Sequence, residues 1–165
     1  MDFDREPVKQ TRKKRNAHVP KIIGWREWFS LPDLGIQRVK AKIDTGARTS
    51  CLHAYEIEEV HEGRKWFVKF KVHPMQRNSE YTVKAKAELI EKRCIKDSGG
   101  KETLRPVIRT RIVAGDLSWE IELTLISRDE MGFRMLLGRK GINEDFLVHP
   151  SQSFLLTPFS EGETE

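Results

Sequence analysis

An all-β fold, closed or nearly closed as a β-barrel with one short helix near the C-terminus, is what the sequence predicts, on three observations. Short stretches alternate polar and apolar residues with period two, as strands with one buried face do; Gln37 to Ile43, Trp66 to Val72 and Tyr81 to Ala87 are the clearest. Turn residues such as Pro32-Asp33-Leu34-Gly35, Gly99-Gly100 and Ala114-Gly115-Asp116 separate these stretches. One segment only, Gly138 to Phe146, suits a helix, with Ile142 and Phe146 four residues apart on one face.

The first eighteen or so residues are polar and basic, with Lys9, Arg12, Lys13, Lys14 and Arg15 among few hydrophobic neighbours, so residues 1–19 read as a disordered tail. The globular domain is expected over 20–158. Lys21 to Leu31 is aromatic and β-branched and reads as a strand; Trp25 and Trp28 there are either ligand stackers or core and sheet-edge packing, and their density favours packing. A turn at Pro32 to Gly35 leads into the strand Gln37 to Ile43, which ends at Asp44-Thr45-Gly46-Ala47. The chain continues outward through Arg48 to Ala54. Two half-buried strands, Lys65 to His73 and Tyr81 to Glu88, follow and are joined through Pro74 to Ser79; their lysines face a partner or water. Cys94 to Leu104 places a glycine pair between strand-like runs, the sign of a hairpin tip. Arg105 to Val113 and Leu117 to Leu125 form a second hairpin, and Arg134 to Leu137 is a buried strand before the helix. Ser153 to Leu156 ends the ordered chain, and the acidic 159–165 frays.

With 165 residues, 38% of them hydrophobic and 33% charged, the chain suits one globular domain that buries roughly two-thirds of its unfolded surface. No apolar run approaches the ~20 residues of a membrane span, and Met1 to Arg5 lacks a signal peptide's apolar core. A cytoplasmic location is expected, with Cys51 and Cys94 as free thiols. The net charge of +5 and pI near 9.3 raise a nucleic-acid partner. The basic tail is suited to phosphate contact, yet it has no interleaved aromatic residues for base stacking, so a solvated tail is favoured.

Asp44 is the candidate general acid/base. A lone aspartate, with a pKa near 3.9, is a weak base at neutral pH. Two aspartates a few Å apart cannot both ionise and therefore share a proton, so that one activates water while the other protonates the substrate oxygen. The chain contains Asp-Thr-Gly once, so the second carboxylate has to come from Asp44 of another copy across a two-fold axis. Taken as a bare tripeptide, the motif is also an ordinary turn.

A second stretch, Met135-Leu136-Leu137-Gly138-Arg139, decides between these readings. Strand–Asp-Thr-Gly-Ala followed much later by apolar-apolar-Gly-Arg resembles the retropepsin-like aspartic proteases. Gly24-Trp25-Arg26-Glu27-Trp28, Ala41 to Ser50 and Arg105-Pro106-Val107-Ile108 resemble one bacterial and archaeal branch of that group, often labelled ATP-dependent zinc proteases and associated with a ribosomal-protein glutamate ligase. The resemblance implies Asp44 as the catalytic residue, Thr45, Gly46 and Ala47 as its supporting loop, and Gly138 close behind that loop. It makes the Gly99-Gly100 tip a flap that closes over an extended peptide; without it, the segment is equally an exposed hairpin. In the viral members the Gly-Arg arginine pairs with an aspartate four residues beyond the catalytic one. Here that position is Arg48, so this salt bridge cannot form.

The zinc and ATP labels find no support in the residues. His61-Glu62-Gly63-Arg64-Lys65 has Lys65 where a metalloprotease helix needs its second histidine, and His18, His53, His73 and His149 are scattered. No phosphate-cradling Gly-x-x-x-x-Gly-Lys-Ser/Thr loop occurs. No metal site or cofactor is expected. Cys51 and His53 share a strand face at about 7 Å, too far for direct proton transfer. The expected function is an aspartic-type endopeptidase working as a homodimer on a peptide or protein, with a ribosomal protein or the glutamate ligase as candidate partners. The competing readings are a non-catalytic peptide- or ribosomal-partner-binding module on the same fold, and a zinc-dependent protease.

Overall fold

A computed structural model describes residues 19–75, 78–127 and 132–157. The predicted frayed end at 159–165 lies outside these residues, as does the basic tail up to residue 18. The strands are β1 (Lys21–Leu31), β2 (Ile36–Ile43), β3 (Ser50–His53), β4 (Tyr55–Glu62), β5 (Lys65–Val72), β6 (Val83–Glu88), β7 (Glu91–Lys96), β8 (Glu102–Ala114), β9 (Leu117–Ile126), β10 (Met135–Leu137) and β11 (Phe146–Ser153). The helix α1 (Arg139–Ile142) precedes β11.

Eight strands form one sheet in the order β11-β1-β2-β10-β3-β9-β8-β7. Pairing of Ser30 in β1 with Val113 in β8 closes six of them into a ring of hydrogen-bonded strands, leaving β7 and β11 as outlying edges. The β4-β5-β6 sheet is separate. Period-two alternation explains which residues fill the interior. In β2, Ile36, Val39, Ala41 and Ile43 are buried, while Arg38, Lys40 and Lys42 are directed away from the core. Ile23, Phe29, Leu31, Leu52, Ile108, Leu123, Met135 and Leu137 join them in one continuous core.

Three elements differ from the sequence expectation. Tyr55 to Glu62 forms β4, although its run of glutamates hides any apolar period; as an edge strand it buries no residue fully, and Gly63, at φ +62°, turns the chain into β5. The helix stops at Ile142, a 3-10 turn covers Asn143–Asp145, and Phe146 begins a strand. That strand, β11, covers a stretch to which no element was assigned and contains Pro150, yet it pairs in parallel with β1 at the sheet edge, where a missing N–H does no harm. The two predicted hairpins around residues 94–125 share one continuous strand, the thirteen-residue β8.

A buried carboxyl group is built into this frame. The Glu27 carboxylate, fully buried, accepts backbone N–H bonds from Gly24 (3.1 Å), Leu155 (2.6 Å) and Leu156 (3.1 Å), tying the segment after β11 onto β1. Burial raises its pKa above the ordinary carboxylate value, and the three N–H groups partly offset that.

Candidate active site

Strand β2 delivers Asp44 to the end of the ring. Beside it, β10 runs parallel to β2, pairing Leu137 with Ile43, and the Asp44 N–H continues the ladder to the Leu137 carbonyl at 2.9 Å. The chain then turns. The Gly46 N–H donates to Asp44 Oδ1 at 3.0 Å and the Ala47 N–H to the Asp44 carbonyl at 3.3 Å, leaving the half-buried carboxylate oriented from within its own loop. The φ of Gly46 lies outside the left-handed range, and its contribution here is an N–H close to the carboxylate.

Gly138 and Arg139 hold that loop from behind. Gly138 has an ordinary extended backbone (φ −84°, ψ 175°), so its glycine is required by space: a Cβ would stand 2.8 Å from the carbonyl carbon and oxygen of Thr49 and 3.0 Å from the Ala47 carbonyl. Its N–H donates to Ser50 Oγ at 3.0 Å in a buried bond. The next two N–H groups, of Arg139 and Lys140, donate to the carbonyls of Ala47 (2.8 Å) and Arg48 (3.1 Å). The Arg139 guanidinium reaches round to the Thr45 carbonyl at 2.9 Å. The arginine thus clasps the backbone of the Asp-Thr-Gly loop directly. The sequence left this unread, because the aspartate that would have marked its partner is absent. Ser50 was also missed. Its hydroxyl receives the Gly138 N–H, its carbonyl receives the Thr124 hydroxyl at 3.0 Å, and neither bond has a local sequence signal.

The Gly99-Gly100 tip is a tight hairpin between β7 and β8. Asp97 Oδ1 accepts the N–H groups of Gly99 and Lys101 (both 2.9 Å), and Gly100 sits at φ +86°. At the base of this hairpin, Arg93 and Arg105 are cross-strand partners, and Arg93 ion-pairs with Glu91 and Glu122. The bond from Arg93 holds the Glu122 carboxyl below the usual carboxylate range, with Lys140 and Arg109 adding to the effect. Lys140 follows Arg139, so Glu122 at the hairpin base and the loop holding Asp44 are electrostatic neighbours.

The other candidates are dispersed. Cys51 and His53 are both buried in β3, a strand enclosed along its whole length. His61 lies on β4 stacked against Trp66 (4.6 Å between centroids) rather than on a helix. Among the described residues no three His, Cys, Asp or Glu side chains are grouped so as to hold a metal, and no helix is long and apolar enough to cross a membrane.

A ring of strands delivering an Asp-Thr-Gly-Ala loop onto a Leu-Leu-Gly-Arg support is the arrangement of the retropepsin-like aspartic endopeptidases. A model of the family described as retropepsin-like aspartic endopeptidase RimB matches residues 22–158, and the chain belongs to that family. It is 43% identical over 145 residues to a protein of Shewanella pealeana described as a probable alpha-L-glutamate ligase, covering 87% of this chain and 31% of that protein. A protein of Desulfotalea psychrophila with the same description is 45% identical over 132 residues, covering 79% of this chain and 28% of its own length. The chain therefore spans less than a third of these relatives. A crystal structure of a Legionella pneumophila protein of unknown function superposes with a TM-score of 0.70 at 27% identity, covering 84% of this chain and all of that one.

Proposed function

We propose that this chain is an aspartic-type endopeptidase whose catalytic pair is Asp44 from each of two copies. The observation carrying this reading is the locked loop itself: a half-buried carboxylate at the end of β2, oriented by the Gly46 N–H and braced by Gly138 and Arg139. Two such carboxylates facing one another share a proton. The ionised one takes a proton from water as it attacks the peptide carbonyl, and the protonated one gives its hydrogen to the developing oxyanion. Thr45 and the loop amides keep the two carboxyl groups in plane, Ala47 lines the cleft, and the Gly99-Gly100 tip closes over the substrate as a flap. The mechanism calls for neither zinc nor ATP.

The substrate class follows from the surroundings of the loop and from the relatives. Arg48 and Lys140 border the loop, and both are exposed. Such a rim favours an acidic peptide. The relatives are described as glutamate ligases, so we assign this chain the hydrolysis of glutamate-rich segments, of the kind such a ligase would add to a ribosomal or other protein.

The test is turnover of a peptide panel containing glutamate-rich and neutral members. Wild type is expected to cut the acidic members, with specific activity rising with protein concentration as dimers form. Asp44→Asn is expected to abolish cutting while leaving the melting temperature near that of wild type, and a chelator to leave cutting intact. Persistent cutting by Asp44→Asn, or its loss on chelation, refutes the proposal. Substrate binding by wild type without any cutting would make the chain a binding module instead.

A further inference from the structure

The hairpin that carries the Gly99-Gly100 tip is held at its root by two different bodies. Among the described residues, Glu102 to Pro106 of β8 pair only with β7, and pairing with β9 begins at Val107. The outer part of the hairpin is therefore a two-stranded ribbon, which has little stability of its own. Its position depends on what grips its root.

One grip is the β4-β5-β6 sheet. That sheet is a fixed body: Val68, Phe70 and Val72 of β5 belong to the main core, and Val83, Ala85 and Ala87 pack against it. From β6 the chain enters β7 within two residues. The Leu89 N–H bonds the Trp66 carbonyl of β5 at 2.8 Å, and the next N–H, of Ile90, already bonds the Val107 carbonyl of β8 at 2.9 Å. Lys92, the second residue of β7, then reaches back to Glu59 of β4 at 2.8 Å. The other grip is the ring. Arg93 is one residue further along, so its side chain leaves the opposite face of the strand. It pairs with Glu122 of β9 at 2.8 Å, as well as with Glu91 of its own strand. The Arg93 side is that of the Asp44 loop, because Glu122 also feels Lys140, whose N–H bonds the Arg48 carbonyl.

We propose that Lys92 and Glu59 are positioning residues for the flap: their ion pair holds the hairpin toward the β4-β5-β6 sheet, against the pull of Arg93 and Glu122 toward the Asp44 loop. They act through the hairpin, not on the substrate. Both side chains are partly exposed, and such a pair shifts a two-state population by at most about fivefold. That strength suits a segment that has to move. Six residues of extended chain, about 20 Å, separate Lys92 from Ser98, so a small tilt at the root carries the tip several Å. The inference rests on reading the tip as a flap over Asp44, but the position of the tip can be measured without it.

The test is a spin-label distance between Arg64→Cys in the β4–β5 turn and Ser98→Cys at the tip, both exposed positions, in a Cys94→Ser background. The labelled chain is diluted with unlabelled protein, so that distances within one chain dominate. Glu59→Gln and Lys92→Gln are each expected to lengthen this distance by several Å, and Glu122→Gln to shorten it. Glu59→Lys combined with Lys92→Glu should restore the wild-type value. With the acidic peptides, Glu59→Gln and Lys92→Gln should both lower KM by about two- to fivefold, with a smaller change in kcat, although they alter the charge in opposite directions. Unchanged distances, a shift in the same direction for Glu59→Gln and Glu122→Gln, or a swapped pair that restores nothing would each overturn the inference. Opposed shifts with KM unmoved would uphold the positioning and overturn the flap reading instead.

Discussion

Replacing Gly138 with alanine tests the support behind the Asp44 loop with the smallest available change. The added Cβ would stand 2.8 Å from the Thr49 carbonyl carbon and oxygen, about 0.7 Å inside the ~3.5 Å at which carbon contacts become favourable. These are backbone atoms and cannot rotate away. Either β10 or the 47–49 backbone must shift, and the Gly138, Arg139 and Lys140 N–H bonds to Ser50, Ala47 and Arg48 bridge that gap. Overpacking of this kind costs about 1–3 kcal/mol. For a chain of this size each kcal/mol lowers the melting temperature by about 2–4 °C. The expected outcome is a fall of several degrees in a tryptophan-fluorescence melt, with a loss of peptide turnover larger than that fall explains, since both segments are hydrogen-bonded to Asp44, β10 through the Leu137 carbonyl and the 47–49 backbone through the Ala47 N–H. A Gly138→Ala protein that melts and cuts like wild type would refute the reasoning, and Gly138 would then be a glycine of convenience.

Two further perturbations address the same frame. Ser50→Ala leaves the buried Gly138 N–H without its acceptor and should cost about 1–3 kcal/mol in urea unfolding, while Ser50→Thr, which keeps a hydroxyl, should recover part of it. Glu122, whose pKa is lowered in the fold chiefly by Arg93, contributes stability that is full above the unfolded carboxylate pKa and is lost as pH falls through the lower folded value. Glu122→Gln should therefore be less stable than wild type at neutral pH, and the gap should close as pH drops below about 4. A gap that is constant with pH would count against the ion pair as its source. Glu27 works in the opposite direction. Its raised pKa means that stability falls as pH rises from the unfolded value through the folded one, so pH titrations are best compared in a Glu27→Gln background.

Much of the frame was legible because strand periodicity is local. The alternation in Gln37 to Ile43 correctly placed Val39, Ala41 and Ile43 inside, and Asp44 followed as the first residue past the strand. The Leu136-Leu137-Gly138-Arg139 run stood out by its likeness to known sequences, and Gly138 lies against the backbone of Ala47 and Thr49. What stayed hidden was set by distant pairing. Strand β4 has no apolar period to reveal it, and β11 has no strand signal of its own until β1 supplies its partner.

The residues themselves determined which faces are apolar, where the chain turns, and that its one Asp-Thr-Gly would end a strand, because each of these depends on neighbours a few positions away. Tertiary structure alone decided that Arg139 clasps the Thr45 carbonyl, that Ser50 links β10 to β9, and that Trp25 and Trp28 lie among cations on an outer face. Those contacts join residues far apart in the chain. Their geometry is set by which strands lie side by side in the ring, and no local pattern records that order.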